Sequence, residues 1–545
     1  MKIALAQLNY HIGNFDGNLA KMIEAVEKAK AQGADLIAFG ELATCGYPPR
    51  DFLEFDDFIR KCYASVEALA RVAQGIAIVV GSPSRNPVPE GKDLYNSAWF
   101  LADGDILHVS HKALLPTYDI FDEYRYFEPA KEFQTVTFKG KKIGLTICED
   151  IWDVGLENPL YGIVPMDEMM DEQPDFMLNL SASPFTFSQA ETRIGVVRAN
   201  VERYKMPVFY VNHVGSQTDV VFDGGSIVMS PDGCVYDEMP YFTECIRIYN
   251  LDDVQRGGRV KEQPKDKTEL IHDALVLGIR DYFGKLGFQK AVLGLSGGID
   301  SAVTVVLAAK ALGPKNVRVL LMPSQHSSDH SVNDARQLAQ NLGVQFDLVP
   351  IQPMFDAFEA ALKPHFFGKK EDVTEENLQA RVRGMLLMGI SNKFGHILLN
   401  TTNKSEMAVG YGTLYGDMCG GLAVLGDVYK TEVYDIAHFL NKEEEVIPKS
   451  SIEKPPSAEL RPGQKDSDSL PPYEVLDKLL FQYIEKRQGP RELVAMGFDD
   501  ALVKRVLRMV NINEFKREQA PPVIRVSVKA FGMGRRMPIV GKYLN

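Results

Sequence analysis

Two stretches of this 545-residue chain concentrate residues able to do chemistry, and the chemistry differs between them. In Leu293-Gly-Leu-Ser-Gly-Gly-Ile-Asp-Ser301, two glycines lie between two serines and an aspartate follows. Gly297 and Gly298 let backbone amides approach an anion without a Cβ in the way, and Ser296 and Ser301 bring hydroxyls. A helix starting at Asp300 and Ser301 adds its dipole. Gly294, Leu295 and Ile299 complete this oxyanion cradle. An aspartate inside such a cradle repels phosphate unless a divalent cation bridges the two, so Asp300 argues for Mg²⁺ bound with a nucleotide. A plain strand-to-helix turn would account for one glycine, not for the whole set.

The second stretch is Cys148-Glu149-Asp150, which follows the apolar run Ile143 to Ile147 and so puts a thiol and two carboxylates at a strand end. A cysteine in an apolar strand is by default a core residue. Glu41, in Phe39-Gly-Glu-Leu42, also ends a strand, and Lys112 follows a hairpin strand. Together they supply what amide cleavage requires. A carboxylate takes the thiol proton, the thiolate attacks the carbonyl, and the ammonium stabilises the tetrahedral oxyanion. Other candidates fail on spacing. Gly284-Lys285 lacks the earlier glycine and the following hydroxyl of a Walker loop, and Gly410, Gly412 and Gly416 miss the dinucleotide fingerprint by one residue. His326 and His330 stand four apart without a third metal ligand nearby, which favours a loop reading.

These groups need strands to carry them. In the first half, Met1 to Leu8, Ala34 to Gly40 and Ile76 to Val80 read as strands, with helices over Asn18 to Ala31 and Lys61 to Gln74. A hairpin is expected across Ala102-Asp103-Gly104-Asp105, and further strands over Lys142 to Ile147, Phe176 to Leu180, Val208 to Val211 and Cys245 to Ile248. A mixed sheet with helices outside it follows. After a polar stretch from Leu251 to Lys267, the rhythm becomes βα: strands over 291–295, 317–322, 344–349 and 396–399 alternate with helices. One of these helices is expected to open at Ser331 with Asp334 completing a capping box. Repeated βαβ units imply an open, doubly wound parallel sheet with ligands beyond the carboxyl ends of its strands. The expected division is 1–251, a linker over 252–267, and 268–545. The polar segment Pro455 to Pro472 reads equally as a solvated loop or a lid.

Composition sets the outer limits. With 45% hydrophobic and 24% charged residues the chain is neither disordered nor fibrous, and a formal charge of −13 argues against nucleic acid as partner. No segment has the unbroken apolar length of a membrane span or the apolar run of a signal peptide, and six dispersed cysteines without a CxxC pair suggest reduced thiols. A cytoplasmic location is the expectation.

Both stretches resemble known families. Glu41, Lys112 and Cys148, in that order and with their flanking residues, resemble the nitrilase superfamily over roughly Met1 to Leu251. That resemblance implies an α-β-β-α sandwich, a second glutamate at Glu123 that orients the triad, and glutamine contacts from Tyr118, Glu149 and Ser183. Gln189 falls where relatives often carry a basic residue. The Ser296 to Ser301 loop resembles the N-type ATP pyrophosphatases, which belong to the adenine nucleotide alpha hydrolase-like fold, and Met322 falls where that family receives adenosine. The pairing is similar to the glutamine-dependent NAD⁺ synthetase family, whose signatures are matched by Glu376-Asn-Leu-Gln-Ala-Arg381, Thr401-Thr-Asn-Lys-Ser-Glu406, Tyr415-Gly-Asp417, Lys430-Thr431 and Phe515-Lys516. It implies ATP contact at Thr401, deamido-NAD⁺ contact at Asn377, Arg381, Glu406 and Lys516, metal at Asp300 and Glu406, and phosphate charge offset by Arg381 and Lys430. Glutamine, deamido-NAD⁺ and ATP are the implied substrates, with Mg²⁺, a homo-oligomer, and ammonia passed from one half to the other away from water. The resemblance also leaves room for another glutamine-fed pyrophosphatase, or for an RNA-modifying one, although the charge and the missing CxxC oppose the latter.

Overall fold

The computed structural model describes residues 1–155, 157–258 and 266–543, and its contacts divide the chain into two compact units, Met1–Pro264 and Lys265–Asn545. The strands of the first unit are β1 (Lys2–Gln7), β2 (Leu36–Ala38), β3 (Ala77–Arg85), β4 (Leu94–Ala102), β5 (Asp105–His111), β6 (Val136–Phe138), β7 (Lys141–Ile147), β8 (Phe176–Leu180), β9 (Val208–Val211), β10 (Val214–Gln217), β11 (Val220–Asp223), β12 (Ile227–Met229), β13 (Val235–Glu238) and β14 (Cys245–Asn250). They form two six-stranded mixed sheets, ordered β14-β1-β2-β3-β4-β5 and β13-β12-β9-β8-β7-β6, and a small hairpin of β10 and β11.

Alternation along the strands decides how the sheets stack. In β1, Ile3 and Leu5 join Leu36, Val79 and Phe100 against Leu145, Phe176, Leu178 and Phe209 of the other sheet. Their neighbours Ala4 and Ala6 face the opposite way, onto Met22, Val26, Val66 and Leu69 of the helices Phe15–Ala31 and Asp56–Val72. The outer face of the second sheet, with Met177, Val208 and Tyr210, is covered by Val197 and Val201 of helix Gln189–Tyr204. The result is the expected α-β-β-α sandwich. Its inner sheet faces are dry, and the ends of its strands are left to carry polar groups.

The second unit has β15 (Ala291–Gly294), β16 (Val317–Leu321), β17 (Gln345–Leu348), β18 (Ile397–Asn400) and β19 (Leu422–Ala423), all parallel, in the order β17-β16-β15-β18-β19. The chain winds outward from β15 in one direction, then returns to add β18 and β19 on the other side. The crevice at that reversal lies beyond the carboxyl ends of β15 and β18, where open parallel sheets hold ligands.

Three expectations need correction. The helix after β16 is Asp329–Leu342, capped by Ser328, whose side chain accepts from the Ser331 N–H at 3.2 Å. Ser331 is inside the helix instead, with its hydroxyl donated to Glu459 at 2.6 Å, and Asp334 accepts from Ser450 rather than closing a capping box. The interval expected as linker begins with a short helix, Leu251–Gln255, whose Leu251 and Val254 are buried in the first core. Its remaining residues 259–265 lie outside the described residues. Among the described residues no helix is long and apolar enough to cross a membrane.

Candidate active sites

At the end of β7 the chain turns sharply at Cys148, whose φ of 43° puts a side chain in the left-handed region that L-residues seldom occupy. Such backbone persists only where the surroundings over-determine it. Here Asp150 does so, accepting from the N–H groups of Ile147 at 2.9 Å and of Ala113 and Leu114 at 3.0 Å, which ties the turn to the segment that carries Lys112.

Lys112 is fully buried. Its Nζ lies 2.7 Å from Glu41 Oε1 and 2.8 Å from both oxygens of Glu123. Glu41 is gripped further by the Ala182 N–H on Oε2 at 3.1 Å, and Glu123 by the Tyr47 hydroxyl at 2.8 Å. The four residues expected to catalyse are thus brought together from four separate segments. Burial works against the Lys112 ammonium, but Glu123 and Glu41 outweigh it and hold its pKa well above the usual lysine value. Burial pushes the Cys148 thiol up, and the Glu41 charge adds to this, so the resting site holds a thiol, not a thiolate.

Next to this cluster, Glu149 is buried and accepts on Oε1 from Tyr118 at 2.7 Å and from Tyr161 at 3.1 Å. A carboxylate with two phenol donors and no cation among its hydrogen-bond partners is suited to a ligand ammonium group. Ser183 is buried, with its backbone N–H given to Asn212 Oδ1 at 2.8 Å. Gln189 opens the helix Gln189–Tyr204 and makes no side-chain bond to Glu149 or Tyr118, so the structure does not join it to the others. Tyr161 and Asn212 went unnoticed in the sequence, since neither stands in a recognisable motif.

In the second unit, a cavity of about 740 Å³ opens at the carboxyl ends of β15, β16 and β18. Of the residues expected to meet ATP, deamido-NAD⁺ or metal, all line it except Gly297. Gly297 lies beneath the loop surface, where its φ of 80° and its closeness to Ser331 leave no room for a side chain. The loop is held in shape by its own hydroxyls. Ser296 Oγ accepts from the Gly298 N–H at 3.2 Å and meets Ser301 Oγ at 3.1 Å, and Ser301 donates to the Gly298 carbonyl at 2.9 Å.

Asp300 accepts from Asn403 Nδ2 at 2.9 Å and is paired with Lys430. The same ammonium lies 3.9 Å from Glu406 Oε1. Burial, then the nearby Asp300 charge, raises the Glu406 pKa well above the carboxylate range despite Lys430. Two hard oxygen donors crowded near one ammonium are a donor set suited to a small divalent cation. No cluster of three or more His, Cys, Asp or Glu fit for a metal exists among the described residues, so phosphate and water would have to complete the shell. Lys516 is spent on the Gly410 and Gly412 carbonyls at 2.8 Å each, Arg381 on the Leu414 carbonyl at 3.2 Å, and Asn377 accepts from Thr413 at 2.7 Å. Residues 455–461 line the cavity too, and Glu459 accepts from Ser328 and Ser331.

A carboxylate, ammonium and thiol at strand ends of an α-β-β-α sandwich define a carbon-nitrogen hydrolase unit, and a glycine-serine loop on a doubly wound parallel sheet defines a nucleotide-handling one. Residues 2–258 match the carbon-nitrogen hydrolase family and residues 271–520 the NAD synthase family. The glutamine-dependent NAD(+) synthetase of Synechocystis is 45% identical over 98% of this chain and 98% of its own, and that of Thermotoga maritima 41% identical over 100% and 99%. The structure of the glutamine-dependent NAD⁺ synthetase from Acinetobacter baumannii in complex with ADP superimposes with a TM-score of 0.78 at 39% identity, covering 99% of both chains. The chain belongs to the glutamine-dependent NAD⁺ synthetase family.

Proposed function

We propose that the chain is a carbon-nitrogen ligase that makes NAD⁺ from deamido-NAD⁺, ATP and glutamine, releasing AMP, pyrophosphate and glutamate. The observation that carries this reading is the presence, in one chain, of the buried Glu41-Lys112-Cys148 cluster and of the Ser296–Ser301 loop lining a cavity large enough for two nucleotide-sized ligands. The first unit, over 1–251, acts as the glutaminase and the second, over 268–545, as the synthetase.

Glu41 takes the proton from Cys148 Sγ as the sulfur attacks the side-chain carbonyl carbon of glutamine, and Lys112 faces the oxygen that becomes negative. The proton passes from Glu41 to the departing nitrogen, ammonia leaves, and water activated by the same carboxylate hydrolyses the thioester to glutamate. Glu123 keeps Lys112 in place and charged. Glu149 receives the α-ammonium of glutamine, with Tyr118 and Tyr161 steering its carboxylate, while Ser183 and Gln189 serve the rest of the amino acid.

In the second unit the nicotinate carboxylate of deamido-NAD⁺ attacks the α-phosphorus of ATP, and pyrophosphate departs on the Ser296–Ser301 loop. Ammonia then displaces AMP from the mixed anhydride to give the amide. Met322 and Thr401 receive the adenosine, and Asn377, Arg381, Glu406 and Lys516 receive deamido-NAD⁺. Asp300 and Glu406 are the residues that would hold Mg²⁺, which when bound neutralises phosphate charge. Lys430 balances the two carboxylates when the cation is away. The enzyme is expected to work as a cytoplasmic homo-oligomer.

Stoichiometry tests the reaction directly. With all three substrates, NAD⁺, AMP, pyrophosphate and glutamate form in equal amounts by chromatography and enzymatic phosphate assay; release of ADP and phosphate instead would sink the pyrophosphatase reading. The amino-acid subsite has its own test. Tyr161→Phe removes one donor to Glu149, and a hydrogen bond to a charged group contributes ~1.5–3 kcal/mol, so the glutamine KM rises about tenfold or more. Kinetics with ammonium in place of glutamine stay unchanged. An unaltered glutamine KM would separate Tyr161 from substrate binding.

A further inference from the structure

The buried cluster poses a question that its charges do not answer. Lys112 lies at nearly equal distance from Glu41 and Glu123 (2.7 and 2.8 Å), so the ammonium alone does not set which carboxylate takes the thiol proton. One neutral residue treats them unequally. Asn96, fully buried on β4, directs Nδ2 to Glu41 Oε1 at 2.7 Å, whereas the same nitrogen is 3.4 Å from Glu123 Oε2. Its backbone carbonyl accepts the Lys112 N–H at 2.8 Å. Every charged partner in the cluster therefore touches this one residue.

The other end of the amide is informative. Asn96 Oδ1 is buried and has no hydrogen-bond partner. An unsatisfied buried acceptor is costly, and an apolar residue of the same size would avoid that cost. The amide is thus kept at this position for its donor end. That end points at Glu41, where an N–H serves an ionised oxygen and disfavours a protonated one. An ammonium in its place would add a second positive charge to the cluster, and a hydroxyl on a shorter stem would not span the distance.

We propose that Asn96 is a positioning residue that assigns the base: its amide holds Glu41 ionised and aimed while Glu123 is left to anchor Lys112. The proton balance follows the proposed reaction, on which this inference rests. The Sγ–H bond of Cys148 breaks and an O–H bond forms on Glu41, whose grip on Asn96 loosens as it becomes neutral. When the proton moves on to the departing nitrogen, the Asn96 contact regains full strength, which drives Glu41 back to its starting state.

The test uses the full chain carrying Asn96→Leu, matched in size but without a donor. The pH dependence of glutamine kcat/KM is followed, and ammonium-driven NAD⁺ synthesis is measured alongside. A hydrogen bond to a charged group corresponds to about one to two pH units, so the acidic limb moves to higher pH by about that much and kcat at neutral pH falls ~10–100-fold. Glutamine KM and the ammonium-driven rate stay near wild type. Should Asn96→Leu fail to melt cooperatively, Asn96→Asp, which keeps the shape and adds a third carboxylate, is expected to move the limb the same way. An acidic limb that stays put in a folded variant, even with a lower kcat, overturns the inference and leaves Asn96 a packing residue. Failure of the underlying reading looks different, because glutamine turnover would then survive in Cys148→Ala.

Discussion

Cys148→Ala removes NAD⁺ formation from glutamine by at least about a thousandfold, because no other group in the cluster can form the thioester. Formation from ammonium and ATP persists at the wild-type rate, since the loop and cavity of the second unit are built from residues 294–516 and owe nothing to the thiol. The replacement is small and lies in a turn whose shape is set by Asp150, which accepts three backbone N–H groups, so the fold around it should hold. The pair of nitrogen sources makes the result decisive: loss of both reactions signals damage to the whole chain, and loss of glutamine turnover alone assigns the nucleophile. Full glutamine-driven turnover in the variant would refute the assignment. The wild-type thiol adds a pH signature. Burial and the Glu41 charge raise its pKa, so the reactive thiolate is scarce near neutrality and alkylation of Cys148 by iodoacetamide accelerates as pH rises.

How far these sites could be read from residues alone depended on the kind of signal. The Ser296–Ser301 loop was legible because a phosphate cradle is local: hydroxyls, glycines and the helix start all lie within a few positions. Lys112 and Cys148 lie far apart in the chain, yet each stands at a strand end, and the apolar strands before them mark where a polar group must emerge. The strand order was less accessible, since β14 returns to pair with β1 over a separation of more than two hundred residues. Asn96 gave no signal at all. It sits within a strand where alternation predicts only which face it occupies, and its importance comes from Glu41 and Glu123 converging on that face. Ser328 and Ser331 show a subtler limit. Both are good caps three residues apart, and the choice was made by Glu459 drawing the second hydroxyl away, from a segment more than a hundred residues downstream. The amphipathic helix Asp500–Ile512, with Val503, Val506, Leu507 and Val510 buried, carried a clear period that was passed over because no chemistry attached to it.

Gly297→Ala should stop NAD⁺ synthesis from either nitrogen source while sparing the glutamine site. A Cβ at this position would lie 2.2 Å from the Ser331 carbonyl oxygen and 2.8 Å from its carbon, both backbone atoms that no rotamer change can remove. The φ of 80° adds a left-handed penalty of ~1–2 kcal/mol for a residue with a Cβ. Either the loop lifts or the first turn of helix Asp329–Leu342 recedes, and each displaces the amides and hydroxyls that face the departing pyrophosphate. Misplacement by about 1 Å costs on the order of a hundredfold in rate, which sets the expected minimum loss in both reactions, together with a lower melting temperature. Gly298→Ala is the control within the same loop. Gly298 has an ordinary negative φ, and a Cβ there meets nothing closer than Ser296 Oγ at 3.3 Å, a hydroxyl able to turn. It therefore melts like wild type, and any effect falls on ATP binding, because Gly298 itself lines the cavity. Iodoacetamide alkylation of Cys148 at the wild-type rate in both variants shows that the first unit is intact. Were Gly297→Ala to support ammonium-driven synthesis undiminished, the loop could not be what receives pyrophosphate, since its shape cannot survive that Cβ.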